Sequence, residues 1–410
     1  MSASKQASIF SLIVVVAALG YFVDIYDLLI FSIIRIPSLK ELGLSAEQIK
    51  TDGELILSAQ MAGLLLGGIL WGILGDRKGR AKVLFGSIFI YSIANICNGF
   101  VHSIPQYVLV RFLAGIGLAG ELGAGITLVA ESLPKDKRGL GTAVVAGFGV
   151  LGAAVAFFIK EAFHWRTCYF IGGGLGIVLL LLRISALESG MYHEMSKTAS
   201  KKGAFFMFFS SWERFTKYLK SVLIGLPTWL VIGILITFSS EFGKQFGIAE
   251  DIDPGKSVMY AYIGLAIGDV GIGLISQWLK SRKKALYIFY VFTIISIVLY
   301  FTLQWNGTAS GMYTLCFLMG FSIGFWAVFV TVGAEQFGTN LRATAATTVP
   351  NFVRGLLPAM LFIFKEIRSL NGVGYVNGAI ITSIIVMAVS TAAVITLPET
   401  FHKDLDYEEA

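Results

Sequence analysis

The sequence turns on residues 72–84, which read G-I-L-G-D-R-K-G-R-A-K-V-L. An apolar run ends there in a short charged segment, Asp76 to Lys82, and a second apolar run begins at Val83. Unpaired charges are costly inside the hydrocarbon core of a bilayer. The pattern therefore predicts a tight turn between two membrane-spanning helices. Because Lys and Arg concentrate in cytoplasmic loops, we expect this turn on the cytoplasmic side.

The composition of the whole chain agrees with a membrane protein. Its 410 residues are 56% hydrophobic and only 14% charged, with a mean hydropathy of +0.76. A soluble protein carries about 25% charged residues. The net charge of +6 comes from Lys and Arg in short loops between apolar runs, which argues against nucleic acid as a partner. The three cysteines lie in separate apolar runs and have neither zinc-site nor disulfide spacing.

The apolar runs predict an all-α integral membrane protein, since a helix needs about 20 apolar residues to span the bilayer. About twelve such runs are expected, arranged as two pseudo-symmetric six-helix halves around a central cavity. The halves are residues 1–187 and 221–397, joined by a cytoplasmic linker, 188–220, that contains an amphipathic segment. A cytoplasmic tail, 398–410, follows. An internal repeat supports this division, because residues 79–84 match residues 281–286 at an offset of 202.

Several motifs of this sequence resemble those of a known family, the major facilitator superfamily. Residues 72–84 are similar to its loop between the second and third helices. The positions that match that loop are Gly72, Asp76, Arg77, Gly79, Arg80 and Lys82. Other matches are Arg111-x-x-x-Gly115, Glu131 with Arg138-Gly139, and the closing Leu397-Pro398-Glu399-Thr400. The second-half copy of the loop departs from the pattern, with Trp278 where the first half has Asp76.

Two shorter motifs resemble particular branches of that family. Residues 24–27, Asp-Ile-Tyr-Asp, and 119–123, Ala-Gly-Glu-Leu-Gly, are similar to motifs of metabolite:proton and aromatic-acid:proton symporters. The resemblance implies secondary active transport coupled to protons. The proton is then the coupling ion, and no other cofactor is expected. The implied partners are a small-molecule substrate and the lipid bilayer. We expect a monomer in the plasma membrane, here a bacterial inner membrane, with both termini cytoplasmic.

Charged residues inside the predicted spans are candidates for the coupling site. Asp24 and Asp27 share one helix face, and two such close acids do not both ionise easily in a low dielectric. We predict that Asp24, Asp27 and Glu121 carry protons. Solvation in an aqueous vestibule or capping of a neighbouring helix is the alternative for the two aspartates. Arg111 matches Asp27 in depth, which predicts an ion pair that breaks during transport or is permanently structural.

The second half contributes candidates for binding the substrate. Arg354 has no acidic neighbour in sequence. It could pair with Asp269, or it could hold an anionic substrate, because a guanidinium matches a carboxylate as a fork. The predicted substrate-binding residues are Arg111, Arg354, Asp269, Tyr26, Trp229 and Trp326.

A gate is predicted at the cytoplasmic helix ends. Its predicted residues are Gly72, Asp76, Arg77, Gly79, Arg80, Glu131, Arg138, Glu335 and Arg342. Charged residues at the outer helix ends are expected to extend into the lipid headgroups. These are Lys160, Arg166, Glu241, Lys244, Lys365 and Arg368.

The function predicted from these features is alternating-access symport of a proton with a small organic anion or metabolite. Efflux of a drug or metabolite by proton antiport is one alternative, and transport of a neutral solute or sugar is another. A non-transporting sensor or scaffold usually has an appended soluble domain, and none is recognisable here. An enzyme is disfavoured, because the four histidines are scattered and no nucleophile–base spacing occurs.

Overall fold

A computed structural model of the chain describes residues 12–78, 80–121, 138–188, 205–303, 307–401 and 407–409. Every regular element in these ranges is helical. The first group of helices is α1 Leu12–Glu41, α2 Ala46–Lys78, α3 Arg80–Asn98, α4 Ile104–Leu118, α5 Arg138–Ala162 and α6 Trp165–Glu188. The break between α2 and α3 falls in the charged segment, as the sequence predicts.

A linker segment and a second group of helices follow. The linker segment comprises a 3-10 helix, Phe205–Phe209, and α7 Trp212–Leu223. The second group is α8 Leu226–Leu230, a π-helix Val231–Ile236, α9 Ser239–Gln245, α10 Pro254–Leu279, α11 Arg282–Thr302, α12 Ala309–Ser322, α13 Trp326–Glu335, α14 Thr339–Gly355, α15 Leu357–Ser369 and α16 Gly374–Thr396. In the described ranges, nine helical stretches are long and apolar enough to span a membrane, and two shorter apolar helices accompany them.

Glycines set the closest helix contacts in both groups. A Cβ at Gly63 of α2 would collide with the carbonyl of Phe112, and one at Gly115 of α4 with the carbonyl of Gln60. The contact between α10 and α12 repeats this arrangement, since a Cβ at Gly264 would meet the carbonyl of Phe317. Small residues at such crossings let helix backbones approach closely. The sequence repeat is therefore accompanied by a repeat of helix packing.

The main contacts between the two groups in the described ranges are those of α2 with α14 and α15, and those of α10 with α5 and α1. We call the end of the bundle that contains the linker segment the linker face, and the opposite end the far face. Residues 407–409 lie on the linker face, where Glu409 accepts from the backbone of Gly338 at 3.4 Å and lies 3.5 Å from Arg214. Part of the predicted tail is thus packed against the second group.

Candidate functional site

The two aspartates of α1 lie deep in the bundle, and both side chains are fully buried. Among the described residues, no group hydrogen-bonds any of their four carboxylate oxygens. A buried polar atom without a partner is costly unless it has a function such as binding water, an ion or a proton. Asp24 and Asp27 are therefore the two least satisfied acidic side chains in the described ranges, as expected for sites that gain and lose a proton.

Arg111 lies beside Asp27, but it does not form the predicted ion pair. Its guanidinium donates to the backbone carbonyl of Asp27 at 3.0 Å and to Oδ1 of Asn95 at 3.2 Å. The ion-pair prediction is wrong in this conformation, because the arginine reaches the backbone of α1 and not the carboxylate. The carboxylate instead lies against Gly172 of α6, where a Cβ would collide with Oδ1 of Asp27.

Arg354 faces Asp24 across the boundary between the two groups of helices. Its Nη1 lies 3.9 Å from Oδ2 of Asp24, and both side chains are nearly or fully buried. At that distance the two charges attract, but no hydrogen bond forms. Nε and Nη1 of Arg354 have no hydrogen-bond partner within the described part of the chain. These two nitrogens can therefore donate hydrogen bonds to a ligand at a buried site where the two halves meet.

Asp269 is not the partner of Arg354, which corrects one of the two predicted roles for this arginine. Oδ1 of Asp269 accepts from the backbone N–H of Ala327 at 3.0 Å, at the start of α13. A carboxylate at a helix N-terminus satisfies free N–H groups and complements the helix dipole. Asp269 therefore joins α10 to α13.

Aromatic side chains surround Arg354. The guanidinium lies 5.6 Å from the ring centroid of Trp326, within range of a cation–π interaction. Tyr21 and Tyr262 lie within electrostatic range of both Arg354 and Asp24. These two tyrosines were not singled out in the sequence, because no charge or motif marks them. Their position implies a site that combines a cation with flat apolar surfaces.

The other two predicted substrate-binding aromatics are placed differently. The hydroxyl of Tyr26 donates to the backbone carbonyl of Cys168 at 2.8 Å, which joins α1 to α6 within the first group. Trp229 is buried in α8, and its Nε1 has no hydrogen-bond partner among the described residues. Neither hydrogen-bonds Arg354 in the described part of the chain, and their predicted role in binding stays a prediction.

Glu121 forms a buried ion pair with Arg183, a residue that the sequence analysis did not consider. Nη1 of Arg183 donates to Oε2 at 2.9 Å, and Nη2 donates to Oε1, so that the contact is bidentate. Both side chains are 1% exposed. The pair lies over Gly20 of α1, where a Cβ would collide with it. Arg183 lies five residues before the end of α6, where a basic residue resembles an ordinary cytoplasmic anchor.

Among the described residues, three ion pairs join the two groups of helices at the far face. Arg35 holds Glu241 through two contacts of 2.7 and 2.9 Å, and Arg368 holds Glu54 through contacts of 2.6 and 2.9 Å. Lys160 lies 2.6 Å from Asp253. The expectation that Lys160, Glu241 and Arg368 extend into lipid headgroups is therefore wrong. Each has an opposite charge on the other group, and together the pairs close the far face.

A cavity of about 680 Å³ lies outside these ion pairs. Glu241 and Lys160 are in its wall, together with Lys40, Lys244 and Tyr375. Its wall includes none of Asp24, Asp27 and Arg354. We therefore interpret it as a vestibule at the far face, separate from the buried charges.

The predicted gate is described only in part. A Cβ at Gly72 would lie 3.4 Å from Thr348 of α14, so α2 and α14 are in contact at this depth. Glu335 lies 3.5 Å from Arg282 and accepts from Thr400 at 2.6 Å. Arg342 donates to the carbonyl of Phe337 at 3.3 Å. Gly79 and Glu131, and the side chains of Asp76, Arg77, Arg80 and Arg138, lie outside the described residues.

Comparisons with known proteins extend over most of the chain. A family model described as Major Facilitator Superfamily matches residues 10–362. The niacin transporter of Acinetobacter baylyi is 27% identical over 368 residues, which cover 81% of each chain. The 3-(3-hydroxy-phenyl)propionate transporter of Escherichia coli K12 is 27% identical over 299 residues, which cover 72% of each chain.

A solved structure gives the same architecture. The crystal structure of a D-xylose-proton symporter superposes with a TM-score of 0.66 at 17% identity, over 96% of this chain and 99% of that one. At this identity the likeness concerns the fold. With the family match it confirms the predicted all-α membrane fold of twelve helices in two halves.

Proposed function

The chain belongs to the Major Facilitator Superfamily, and from that premise we propose that it imports a small aromatic or heteroaromatic carboxylate together with a proton. Membership confirms the predicted class, a multi-pass secondary transporter and not an enzyme. The relatives named for niacin and for 3-(3-hydroxy-phenyl)propionate carry compounds that unite a flat ring with a carboxylate. The substrate, the coupling ion and the direction of transport are the parts proposed here.

The pair of Arg354 and Asp24 is the observation that carries this proposal. Asp24 lies 3.9 Å from the guanidinium, so it occupies the place that a substrate carboxylate would take. Two anions compete for one buried cation, because close like charges disfavour the ionised forms. A proton on Asp24 would release Arg354 for the substrate. Trp326, at 5.6 Å from the guanidinium, offers a surface for the ring of the substrate.

The balance of buried charge favours coupling to one proton. Away from the far face, the fully buried charged side chains in the described ranges are three carboxylates, those of Asp24, Asp27 and Glu121, and three guanidiniums, those of Arg111, Arg183 and Arg354. Asp269 is left out of this balance because it is partly exposed and accepts from a backbone N–H of α13. When all six are ionised the cluster is neutral. A monovalent anion that enters leaves one negative charge uncompensated, which is costly in a low dielectric. One proton taken up by an aspartate restores neutrality in the loaded carrier.

The proposal includes an orientation in the membrane. The described Lys- and Arg-rich turn, residues 280–284, lies at the linker face, where Arg282 pairs with Glu335. Such residues concentrate on the cytoplasmic side. We therefore assign the linker face to the cytoplasm, with both ends of the chain on that side. The far face then points outward, and its three ion pairs hold the outer entrance closed in this conformation.

Uptake into proteoliposomes with an imposed pH gradient tests this function. Labelled nicotinate and 3-(3-hydroxyphenyl)propionate are the first substrates, and accumulation should require an alkaline interior. Arg354→Gln should abolish uptake and counterflow, because the substrate carboxylate loses its cation. Asp24→Asn should retain counterflow but lose accumulation, because the carrier no longer binds a proton at that site.

Glu366→Gln is a matched control, since this glutamate of α15 is exposed and is not in the wall of the vestibule. It should transport like the unmodified protein. If Arg354→Gln transported normally, a neutral solute would be the better assignment. Extrusion of the substrate driven by the same gradient would replace symport with antiport.

A further inference from the structure

We propose that Tyr91 passes protons between Asp27 and Glu121, inside the first six helices and away from the boundary between the halves. The inference rests on the proposed proton coupling, in which Asp24 and Asp27 exchange the coupled proton one helical turn apart on α1. It adds to that coupling a route from Asp27 towards the cytoplasm. Tyr91 is completely buried in α3. Its hydroxyl has no hydrogen-bond partner among the described residues, so it has donor and acceptor capacity that the fold leaves unused.

Tyr91 belongs to a polar stripe on one face of α3. The residues of this stripe are Ser87, Tyr91, Asn95 and Asn98, and all four are fully buried. Their spacing of three or four residues places them on one side of the helix. Asn95 accepts from Arg111 at 3.2 Å and so lies at the Asp27 end of the stripe. A continuous polar stripe in a spanning helix is costly in lipid and is a sign of a functional path.

The face of α6 opposite this stripe fixes the order of the groups. Gly172, Gly176 and Arg183 lie on one side of α6, because they are four and seven residues apart. Gly172 lies against Asp27, and Arg183 holds Glu121. Between them, a Cβ at Gly176 would lie 2.8 Å from the ring of Tyr91. The tyrosine therefore lies at an intermediate position along α6, between the two carboxylates.

The charges around the hydroxyl agree with this placement. It is within electrostatic range of Asp27 and Asp24 from α1, of Glu121 from the segment after α4, and of Arg183 from α6. Ser92, the next residue in α3, also lies at Gly176 and has a hydroxyl without a partner in the described ranges. Unpaired buried hydroxyls thus occur where a path between the two acids would pass.

The transfer leaves the tyrosine unchanged. Neither acid hydrogen-bonds the hydroxyl of Tyr91 in this conformation, so a water molecule on each side completes the proposed path. The proton of the Asp27 carboxyl passes through one water to the hydroxyl oxygen of Tyr91, as the hydroxyl proton of Tyr91 passes through the other water to the carboxylate of Glu121. Asp27 becomes a carboxylate, Glu121 becomes a carboxylic acid, and Tyr91 keeps one proton. Arg183 acts as a positioning residue that holds the Glu121 carboxylate in place. The substrate follows a different route, past Arg354 at the boundary between the halves.

The test compares two kinds of transport in proteoliposomes that contain the Tyr91→Phe variant. Counterflow of labelled nicotinate with the substrate on both sides needs no proton release and should stay within about twofold. Uptake driven by a pH gradient needs proton release and should fall at least about tenfold, since positioned proton transfer contributes factors of this size or more. The solvent deuterium isotope effect on the residual uptake should rise.

Tyr300→Phe is the matched control, because this buried tyrosine of the second half donates to the carbonyl of Leu235 at 2.9 Å. It should change neither kind of transport. An equal fall in counterflow and driven uptake for Tyr91→Phe would show a structural role and overturn the proposal, as would no fall in either. Asp27→Asn distinguishes failure of the Tyr91 relay from failure of the proposed coupling. If that variant still accumulated substrate, proton coupling at Asp27 would be wrong, whatever the result for Tyr91→Phe.

Discussion

At the scale of single residues, the buried charges differ in how firmly they are held. Glu121 is held by both terminal nitrogens of Arg183, whereas Asp24 lies 3.9 Å from Arg354. The carboxylate of Asp27 accepts no hydrogen bond from the described residues. A firmly paired acid stabilises one arrangement, and a loosely paired acid can exchange its partner for a proton or an anion. The difference in geometry separates Glu121, which Arg183 holds in place as the proposed acceptor of a proton, from the two aspartates, which exchange a proton beside the substrate anion.

Arg183→Met should lower the melting temperature in detergent, because it leaves the Glu121 carboxylate buried without its cation. Removing one member of a buried ion pair costs about 3–5 kcal/mol. A double variant, Arg183→Met with Glu121→Leu, should recover most of that loss, because a buried apolar pair needs no charge compensation. Equal melting temperatures for the single and double variants would contradict a tight coupling between the two side chains.

At the scale of helices, the motif at residues 397–400 caps the N-terminus of α11. Oxygens of Glu399 accept from the backbone N–H groups of Arg282 at 3.0 Å and Lys283 at 3.2 Å, and also from the hydroxyl of Ser281. The motif at residues 397–400 therefore satisfies free N–H groups at the start of α11. It does so at the second-half copy of the charged turn, which lacks the aspartate of the first.

This cap predicts a dependence of stability on pH. Burial by itself raises the pKa of the Glu399 carboxyl, but hydrogen bonds from Ser281 and from backbone N–H groups, including that of Phe401, outweigh it and leave the pKa below its usual value. A lowered folded-state pKa stabilises the fold above the unfolded value, about 4.3, and the contribution is lost as the pH falls through the folded value. The melting temperature should therefore drop between pH 6 and about pH 3 by more in the unmodified protein than in Glu399→Gln. Equal drops in the two proteins would rule out this cap as the cause.

At the scale of the whole molecule, ion pairs hold the two halves together at the far face, and helix packing holds them together deeper in the bundle. Arg35 with Glu241, Arg368 with Glu54 and Lys160 with Asp253 all cross between the halves. Farther from that face, α2 packs along α14, and Asn351 donates to the carbonyl of Ala119 at 2.8 Å. An outward opening must break all three ion pairs, so they contribute directly to the balance between conformations.

Glu241→Gln should shift that balance towards an outward-open state. Ser32→Cys, placed in a cysteine-free background, reports the opening because Ser32 is 3% exposed in the closed state. A membrane-impermeant maleimide added outside intact cells should label the Glu241→Gln variant about tenfold faster, the effect of roughly 1.4 kcal/mol. Glu161→Gln is the control, since Glu161 pairs with Lys160 within α5 and this pair does not connect the two halves.

Unchanged labelling in Glu241→Gln, or equal acceleration in Glu161→Gln, would exclude this ion pair as part of the outer closure. Labelling only from the cytoplasmic side of inverted vesicles would reverse the proposed orientation.

The sequence by itself determined the spans, the charged turn and the family. These depend on local chemistry, because a bilayer excludes charge at any position of an apolar run. Motifs such as residues 72–84 are also local, because all their residues lie within a short stretch of the chain. It also identified Asp24, Asp27, Arg111 and Arg354 as buried charges at membrane depth, for the same reason.

Only the tertiary structure decided which charges meet. Asp24 faces Arg354 across the halves, Glu121 holds Arg183, and Arg111 binds the backbone of Asp27 and not its carboxylate. The partners of the two ion pairs are 330 and 62 residues apart in sequence, from 354 − 24 and 183 − 121. Contacts of this kind depend on the rotation and crossing of each helix, which are set by glycines such as Gly20 and Gly172 against their neighbours. Helical periodicity determines the face on which a residue lies, and packing alone determines what that face contacts.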